Sequence, residues 1–233
     1  MKIAILSDIH GNLQALQSVF STIDLMDIRE IICLGDIVGY GANPNECIEL
    51  IQSRKIPSVV GNHDKAVIGE IPIENFSETA RRGVLWTQSV ISTANKNFLA
   101  SLNFSIKEYS ALFVHGSPDS PENFRYLFDQ EDAAESFHAF TEQICYIGHT
   151  HRPEIFCEDG ITDQLMLDKR YIVNVGSVGQ PRDGDRRSCF VVYDTEQFTA
   201  NFIRVEYDIE KARTNILDAG LPQKLADRLL IGV

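Results

Sequence analysis

The stretch Lys2-Ile3-Ala4-Ile5-Leu6-Ser7-Asp8-Ile9-His10-Gly11-Asn12 decides how the chain is read. A short apolar run ends abruptly on a carboxylate and an imidazole, which predicts a buried strand whose end carries chemistry. Asn12 can cap a helix from Leu13 to about Ile23, with Leu13, Leu16, Phe20 and Ile23 on one face. The same unit recurs twice. Glu30–Leu34 is a second strand, ending at Gly35-Asp36, and Asn43-Pro44 opens a helix to about Ser53. Pro57–Val60 is a third strand, ending at Gly61-Asn62. The order β-α-β-α-β predicts a mainly parallel sheet with right-handed crossovers.

Outward from there, helices are expected over Ser77–Ser89, which holds the only tryptophan, Trp86, and over Thr93–Leu102. Strands then dominate: Ser105–Glu108, Ala111–His115, Ile144–Gly148, Glu154–Cys157, Tyr171–Val175, Cys189–Tyr193 and Phe198–Glu206. Glu131–Phe140 reads as a helix between them. Asp208 caps a helix to about Ala219, and Leu221–Leu230 forms another. With no linker, repeat or low-complexity stretch, residues 1–233 are expected to form one domain, two sheets face to face with helices outside.

The composition, 44% hydrophobic and 23% charged, is that of an ordinary soluble protein, and a cytoplasmic location is expected. No apolar run approaches the roughly 18 residues that span a membrane. The start lacks a small-residue cleavage site and runs straight into Asp8, so it reads as a strand rather than a signal peptide. The five cysteines contain no Cys-x-x-Cys pair and read as core thiols in a reducing compartment. A net charge of −12 argues against general nucleic-acid binding. Positive charge gathers at Arg81-Arg82 and at Arg182, Arg186 and Arg187, where a loop could face one anionic substrate.

Five of the six histidines fall in four clusters that also hold Asp, Asn or Gly: Asp8-Ile9-His10, Gly61-Asn62-His63-Asp64, His115-Gly116 and Gly148-His149-Thr150-His151. Gly35-Asp36 completes the set, and only His138 lies apart. Asp8, Asp36, Asn62 and His149 each follow a predicted strand and His115 ends one, the address at which α/β sheets bind ligands. Imidazole and carboxylate together ligate first-row divalent metals. Asp8, His10 and His151 would hold one ion, Asn62, His115 and His149 a second, and Asp36 would bridge them. Two carboxylates against two divalent ions leave a surplus of about +2, which draws a phosphate and stabilises charge on its oxygens. A water between the ions would be acidified and serve as hydroxide. His63, beside Asn62, would point elsewhere, free to protonate the leaving oxygen, with Asp64 hydrogen-bonded to its other nitrogen.

These five blocks, in this order across residues 8–151, resemble the signature of the calcineurin-like metallophosphoesterase superfamily. The resemblance implies a four-layer α/β/β/α sandwich of two mixed sheets, the dinuclear assignment above, and His63 as the catalytic histidine. It also favours manganese, although the ligand set equally suits Fe, Zn, Co or Ni. The small size, and the stretch Asn174-Val175-Gly176-Ser177-Val178-Gly179-Gln180-Pro181-Arg182, are similar to the compact prokaryotic phosphodiesterase-like branch.

The chain departs from the phosphoprotein phosphatases of that superfamily. They usually carry an acidic-arginine pair after Gly-Asp, where this chain reads Ile37-Val38-Gly39-Tyr40-Gly41, and Asn-His-Glu where it reads Asn62-His63-Asp64. Arg182 or Arg186 could replace the missing phosphate contact, and Tyr40 could line the pocket. The departure favours a phosphodiesterase acting on a small phosphorylated compound over a phosphomonoesterase or protein phosphatase acting on a phosphoprotein. A non-catalytic scaffold of the same fold would be expected to have lost ligands, and none is lost here.

Overall fold

A computed structural model describes residues 1–162 and 164–233. In chain order the elements are β1 (Lys2–Leu6), α1 (Leu13–Leu25), β2 (Glu30–Cys33), α2 (Pro44–Ser53), α3 (Asn62–Val67), α4 (Glu78–Val90) and α5 (Thr93–Ala100). They continue with β3 (Ser105–Glu108), β4 (Ala111–Val114), α6 (Gln130–Ser136), β5 (Ile144–Ile147), β6 (Pro153–Cys157), β7 (Gly160–Ile161) and β8 (Tyr171–Val175). The chain closes with β9 (Ser188–Asp194), β10 (Thr199–Val205), α7 (Ile209–Asp218) and α8 (Gln223–Asp227). One sheet has the order β10-β9-β1-β2, and the other β3-β4-β5-β8-β6-β7. Both are mixed: β1 runs parallel to β2 and antiparallel to β9, while β4, β5 and β8 run parallel beside antiparallel β3 and β6.

Alternation along the strands builds the layers. Ile3, Ile5, Ile32 and Leu34 face the second sheet, where Phe113, Tyr146, Tyr171 and Val173 meet them in an inter-sheet core. The intervening Ala4, Leu6 and Cys33 face outward onto Leu16 and Phe20 of α1 and Ile216 of α7. On the far side Leu112, Val114, Cys145 and Ile147 pack against Ala133 of α6 and Phe137. Helix, sheet, sheet and helix are thus stacked as expected, each fully buried aliphatic side chain contributing about 1.5–3 kcal/mol. Asn12 and Asp208 cap α1 and α7 by accepting from the amides of Ala15 and Lys211. The five cysteines are buried and unpaired.

Three expected elements differ. Pro57–Val60 meets its neighbours only through isolated bridges, Cys33 to Ser58 and Val59 to Asn103, because Pro57 has no N–H to extend the ladder. The Glu131–Phe140 helix ends at Ser136 and tightens to a 3₁₀ turn, with His138 exposed. The Leu221–Leu230 helix starts only after Pro222, and the chain turns 3₁₀ from Arg228. Among the described residues, no helix is long and apolar enough to cross a membrane.

Candidate metal centre

The parallel strands of both sheets deliver their carboxyl ends to one edge. Asp8 and His10 follow β1, Asp36 follows β2, His115 follows β4, and His149 and His151 follow β5. Five of these six turn the chain sharply, with positive φ at Asp8 (54°), His10 (50°), Asp36 (49°), His149 (69°) and His151 (62°). Asp and His enter the left-handed region more readily than most residues, yet so many at one edge is a concentration of strain. Cross-strand hydrogen bonds hold it: the Asp8 amide donates to the Gly35 carbonyl at 3.1 Å and the His10 amide to the Asp36 carbonyl at 2.9 Å. Asp8 Oδ2 accepts from the His149 amide at 3.0 Å, stitching the two sheets together.

The tautomers follow from the backbone. His10 Nδ1 faces the Val38 carbonyl at 3.1 Å, His115 Nδ1 that of Leu34 at 2.8 Å, and His151 Nδ1 that of Gln180 at 2.6 Å. A carbonyl only accepts, so each neutral ring carries its proton on Nδ1 and turns the Nε2 lone pair inward. There His10 Nε2 and His151 Nε2 stand 3.1 Å apart, and His115 Nε2 and His149 Nδ1 also 3.1 Å. In the first pair neither neutral ring has a proton to give the other. Two lone pairs at that distance repel unless a cation lies between them. Asp8 Oδ1 and Asn62 Oδ1, both buried, likewise have no hydrogen-bond partner. The donor set therefore fits divalent cations, and not a network that satisfies itself.

Asp36 lies between the two groups. Its Oδ2 is 3.5 Å from His10 Nε2 and 3.3 Å from His115 Nε2, while Oδ1 accepts from the His63 amide at 2.8 Å. The oxygens and nitrogens of Asp8, His10 and His151 gather as one buried trio, those of Asp36, His115 and His149 as another, and His10, Asp36 and His63 as a third that overlaps both the first and the second. Burial raises the Asp36 pKa, but the facing His115 and His63 rings outweigh it and hold the carboxyl well below its usual range. His115 shows the converse: burial lowers it, and Asp36 overrides that and carries it up to about 9. Burial pushes His149 and His151 well below the ordinary imidazole value.

Asn62 and His63 line an open cleft of about 710 Å³ with Tyr40, Phe76, Tyr126, His149 and Arg182. The His63 ring packs 4.5 Å from Tyr40, 4.8 Å from His10 and edge-on to Phe76 at 5.1 Å. Its Nδ1 is buried without a partner, and burial pushes its pKa down to about 3. The expected hydrogen bond from Asp64 to His63 is absent. Consecutive residues of a helix do not face each other. Asp64 instead turns back as a helix cap, accepting from the amides of Gly61 at 3.0 Å and Val38 at 3.2 Å. Burial and the nearby Asp36 charge push it up to about 7. It braces the loop that carries Asp36 and is not in line with His63.

Arg182 is in the cleft, its Nη2 donating to Gln180 Oε1 at 2.9 Å and to the Tyr40 hydroxyl at 3.3 Å. Arg186 is not. It lies exposed in a separate surface groove with Asp183, Asp185, Arg187 and Glu206, because the turn after Arg182 carries it away. Two residues that sequence reasoning missed also line the cleft. Tyr126 stacks on His149 at 3.7 Å, and Arg228 stands over the Tyr40 ring at 5.7 Å. Neither sits in a cluster of ligand-type residues, so no local pattern marks them.

Known proteins resemble this chain over its whole length. A protein of Methanocaldococcus jannaschii without an assigned activity is 42% identical, over 99% of this chain and 98% of its own length. A metallophosphoesterase from Sphaerobacter thermophilus is 39% identical, superimposes with a TM-score of 0.87, and is matched over 100% of this chain and 99% of its own. A Pyrococcus horikoshii protein shares the fold at the same TM-score with 20% identity, over 100% of this chain and 98% of its own. Residues 1–197, which contain every residue of the three metal-type trios, match the calcineurin-like phosphoesterase superfamily domain, and the chain belongs to that superfamily.

Proposed function

We propose that the chain is a dinuclear-metal-dependent phosphoesterase, and that it acts on phosphodiesters of small compounds. One observation carries the reading: two pairs of inward-facing histidine nitrogens, each 3.1 Å apart, with Asp36 Oδ2 within 3.5 Å of a histidine of each. Asp8, His10 and His151 would hold one ion, Asn62, His115 and His149 the other, and Asp36 both. When bound, such ions supply Lewis acidity to phosphoryl oxygens and lower the pKa of a water. The mixed nitrogen and oxygen donors suit manganese among other first-row ions.

The chain's own residues supply the rest. The Nδ1–H bonds to Val38, Leu34 and Gln180 fix the rings of His10, His115 and His151, so their nitrogens need no reorganisation. Arg182, tethered by Gln180 and Tyr40, offers a guanidinium to a phosphate in the cleft, in place of the arginine pair the chain lacks. His63 stands over the cleft as the proton donor to the leaving oxygen. Burial holds its pKa down to about 3 in the metal-free protein, and the negative charge of a bound phosphate would raise it toward the protonated form that donates. The diester preference rests on the segment after Asp36, where Ile37 to Gly41 provide no acid-arginine pair to grip a terminal phosphate.

The test is a panel of nitrophenyl monoesters and diesters on manganese-reconstituted protein. Hydrolysis with preference for the diester is expected. Preference for the monoester would turn the reading to a phosphomonoesterase, and inactivity on both, with two ions bound, would refute an esterase.

A further inference from the structure

Two guanidiniums share a wall of the cleft, and among the described residues neither meets an aspartate or glutamate. Arg182 and Arg228 stand 5.8 and 5.7 Å from the centroid of the Tyr40 ring. Among the described residues no Asp or Glu oxygen lies within 4.0 Å of either. Asp227, next to Arg228, is turned to Arg213 at 3.2 Å, and Glu122 on the cleft's lining pairs with neither arginine. Arg228 Nε donates to the main-chain oxygen of Val233, while Arg182 spends Nε and Nη2 on Gln180 and Tyr40. Arg182 Nη1 and both Nη atoms of Arg228 have no protein acceptor among the described residues. On a chain with 33 acidic and 21 basic residues, two neighbouring guanidiniums that no aspartate or glutamate pairs with are unusual. Burial, and then the charge of Arg182, hold Arg228 below the ordinary guanidinium value.

The two are not equivalent. The Arg182 amide donates to the His151 carbonyl at 3.2 Å, and its charge acts on His63, His149 and His151. It belongs to the reaction centre. Arg228 comes from the tail beyond the 1–197 match. Leu225 and Leu229 anchor that tail in the core. The Gly184 amide donates to the Gly232 carbonyl at 3.0 Å, tying the tail to the loop that follows Arg182. Arg228 is therefore placed next to Arg182 and farther from the histidines.

We propose that Arg228, together with Arg182, seats a second anionic group of the substrate, one step out from the phosphate that reacts. The substrates are then small compounds carrying two anionic groups, the second a phosphate or a carboxylate. This rests on the phosphoesterase reading above and narrows its substrate class. Two charge-assisted hydrogen bonds from the free Nη atoms should be worth at least about tenfold in affinity.

Calorimetric binding to manganese-loaded protein tests it, with methylphosphonate, methylenediphosphonate and its propylene homologue as probes. At least one diphosphonate should bind about tenfold or more tighter than methylphosphonate, and Arg228→Gln should remove most of that advantage. Arg228→Lys, which keeps the charge and loses the fork, should give an intermediate advantage, and it carries the test if the Gln variant melts early. Equal binding of mono- and diphosphonates by the parent protein, or an advantage unchanged in both variants, would overturn the proposal. The binding readout is independent of turnover. Diphosphonate selectivity lost in Arg228→Gln, in a protein that hydrolyses no ester, would uphold the anion seat and sink the esterase reading.

Discussion

Replacing Asp36 with Asn is the sharpest perturbation of the centre, because it changes one atom and touches both halves. The Asn carbonyl can keep the 2.8 Å bond from the His63 amide that Asp36 Oδ1 accepts now. The amide NH₂ then takes the place of Oδ2, 3.5 Å from His10 Nε2 and 3.3 Å from His115 Nε2. A donor with no free lone pair replaces an anionic acceptor at the position shared by both ions. Loss of a single ligand-orienting partner costs about 10–100-fold in metal affinity, and loss of a shared ligand should cost at least about 100-fold at each site. At a metal concentration about 100 times the parent Kd, each ion stabilises the parent by about 2.7 kcal/mol. In the variant the same concentration sits near Kd, where each stabilises by about 0.4 kcal/mol. The difference over two sites is about 4.6 kcal/mol, or roughly 9–18 °C for a chain of this size. The assay is thermal melting of parent and Asp36→Asn, each with chelator and with metal. The metal-induced rise should shrink by about that amount in the variant. A variant that binds one ion with parental affinity and loses only the other would refute a shared ligand.

Three further outcomes follow. His63→Ala should keep its metal content yet lose about 10²–10⁴-fold in turnover on esters with alkyl leaving groups, with a smaller loss on nitrophenyl esters, whose leaving oxygen needs no proton; equal losses on both would remove His63 as proton donor. Gly39→Ala places a Cβ 2.6 Å from His63 Nδ1 and 2.9 Å from His10 Nδ1, at a φ of 137°. Displacing the His63 ring by nearly 1 Å should cost up to about 10²-fold in kcat, together with about 1–3 kcal/mol of stability, and parental kinetics would show that the ring's position is immaterial. In metal-free protein, His63, His149 and His151 all have pKa values below their unfolded value of 6.5, so their contribution is complete above pH 6.5 and is lost as pH falls. Asp64, pushed up to about 7, runs the other way and gains between pH 7 and its unfolded 3.8, while His115 is protonated in both states below pH 6.5. Three rings against one carboxyl leave unfolding taking up protons, so the metal-free protein should lose stability as pH falls below 6.5. Melting in chelator at pH 6 and pH 5 checks the sign, and a higher melting temperature at pH 5 would contradict it.

The strand-end placement of Asp8, Asp36, His115 and His149 is legible in the sequence because it rests on local signals, an apolar run followed by Gly or a ligand-type side chain. So is the division of the strands into inward and outward faces, since alternation is a backbone property. Side-chain direction within a helix is less visible. Asp64 looks like a partner for His63 when the two are adjacent letters, and only the start of α3 at Asn62 shows that it turns back as a cap. Arg186 belongs to the same basic stretch as Arg182, yet one turn of loop separates a cleft residue from a surface one. Arg228 and Tyr126 reach the site through tertiary packing alone, and the sequence around them carries no motif that could announce it. Pro57–Val60 reads as a strand on composition, but a proline without an N–H leaves it with bridges only.

The central claim is that two ions sit side by side at this edge, one with each histidine pair. Anomalous diffraction from crystals grown with manganese tests it most directly. Two peaks are expected, one among Asp8, His10 and His151 and one among Asn62, His115 and His149, with Asp36 touching both. A single peak, or peaks away from these residues in protein saturated with metal, would contradict it.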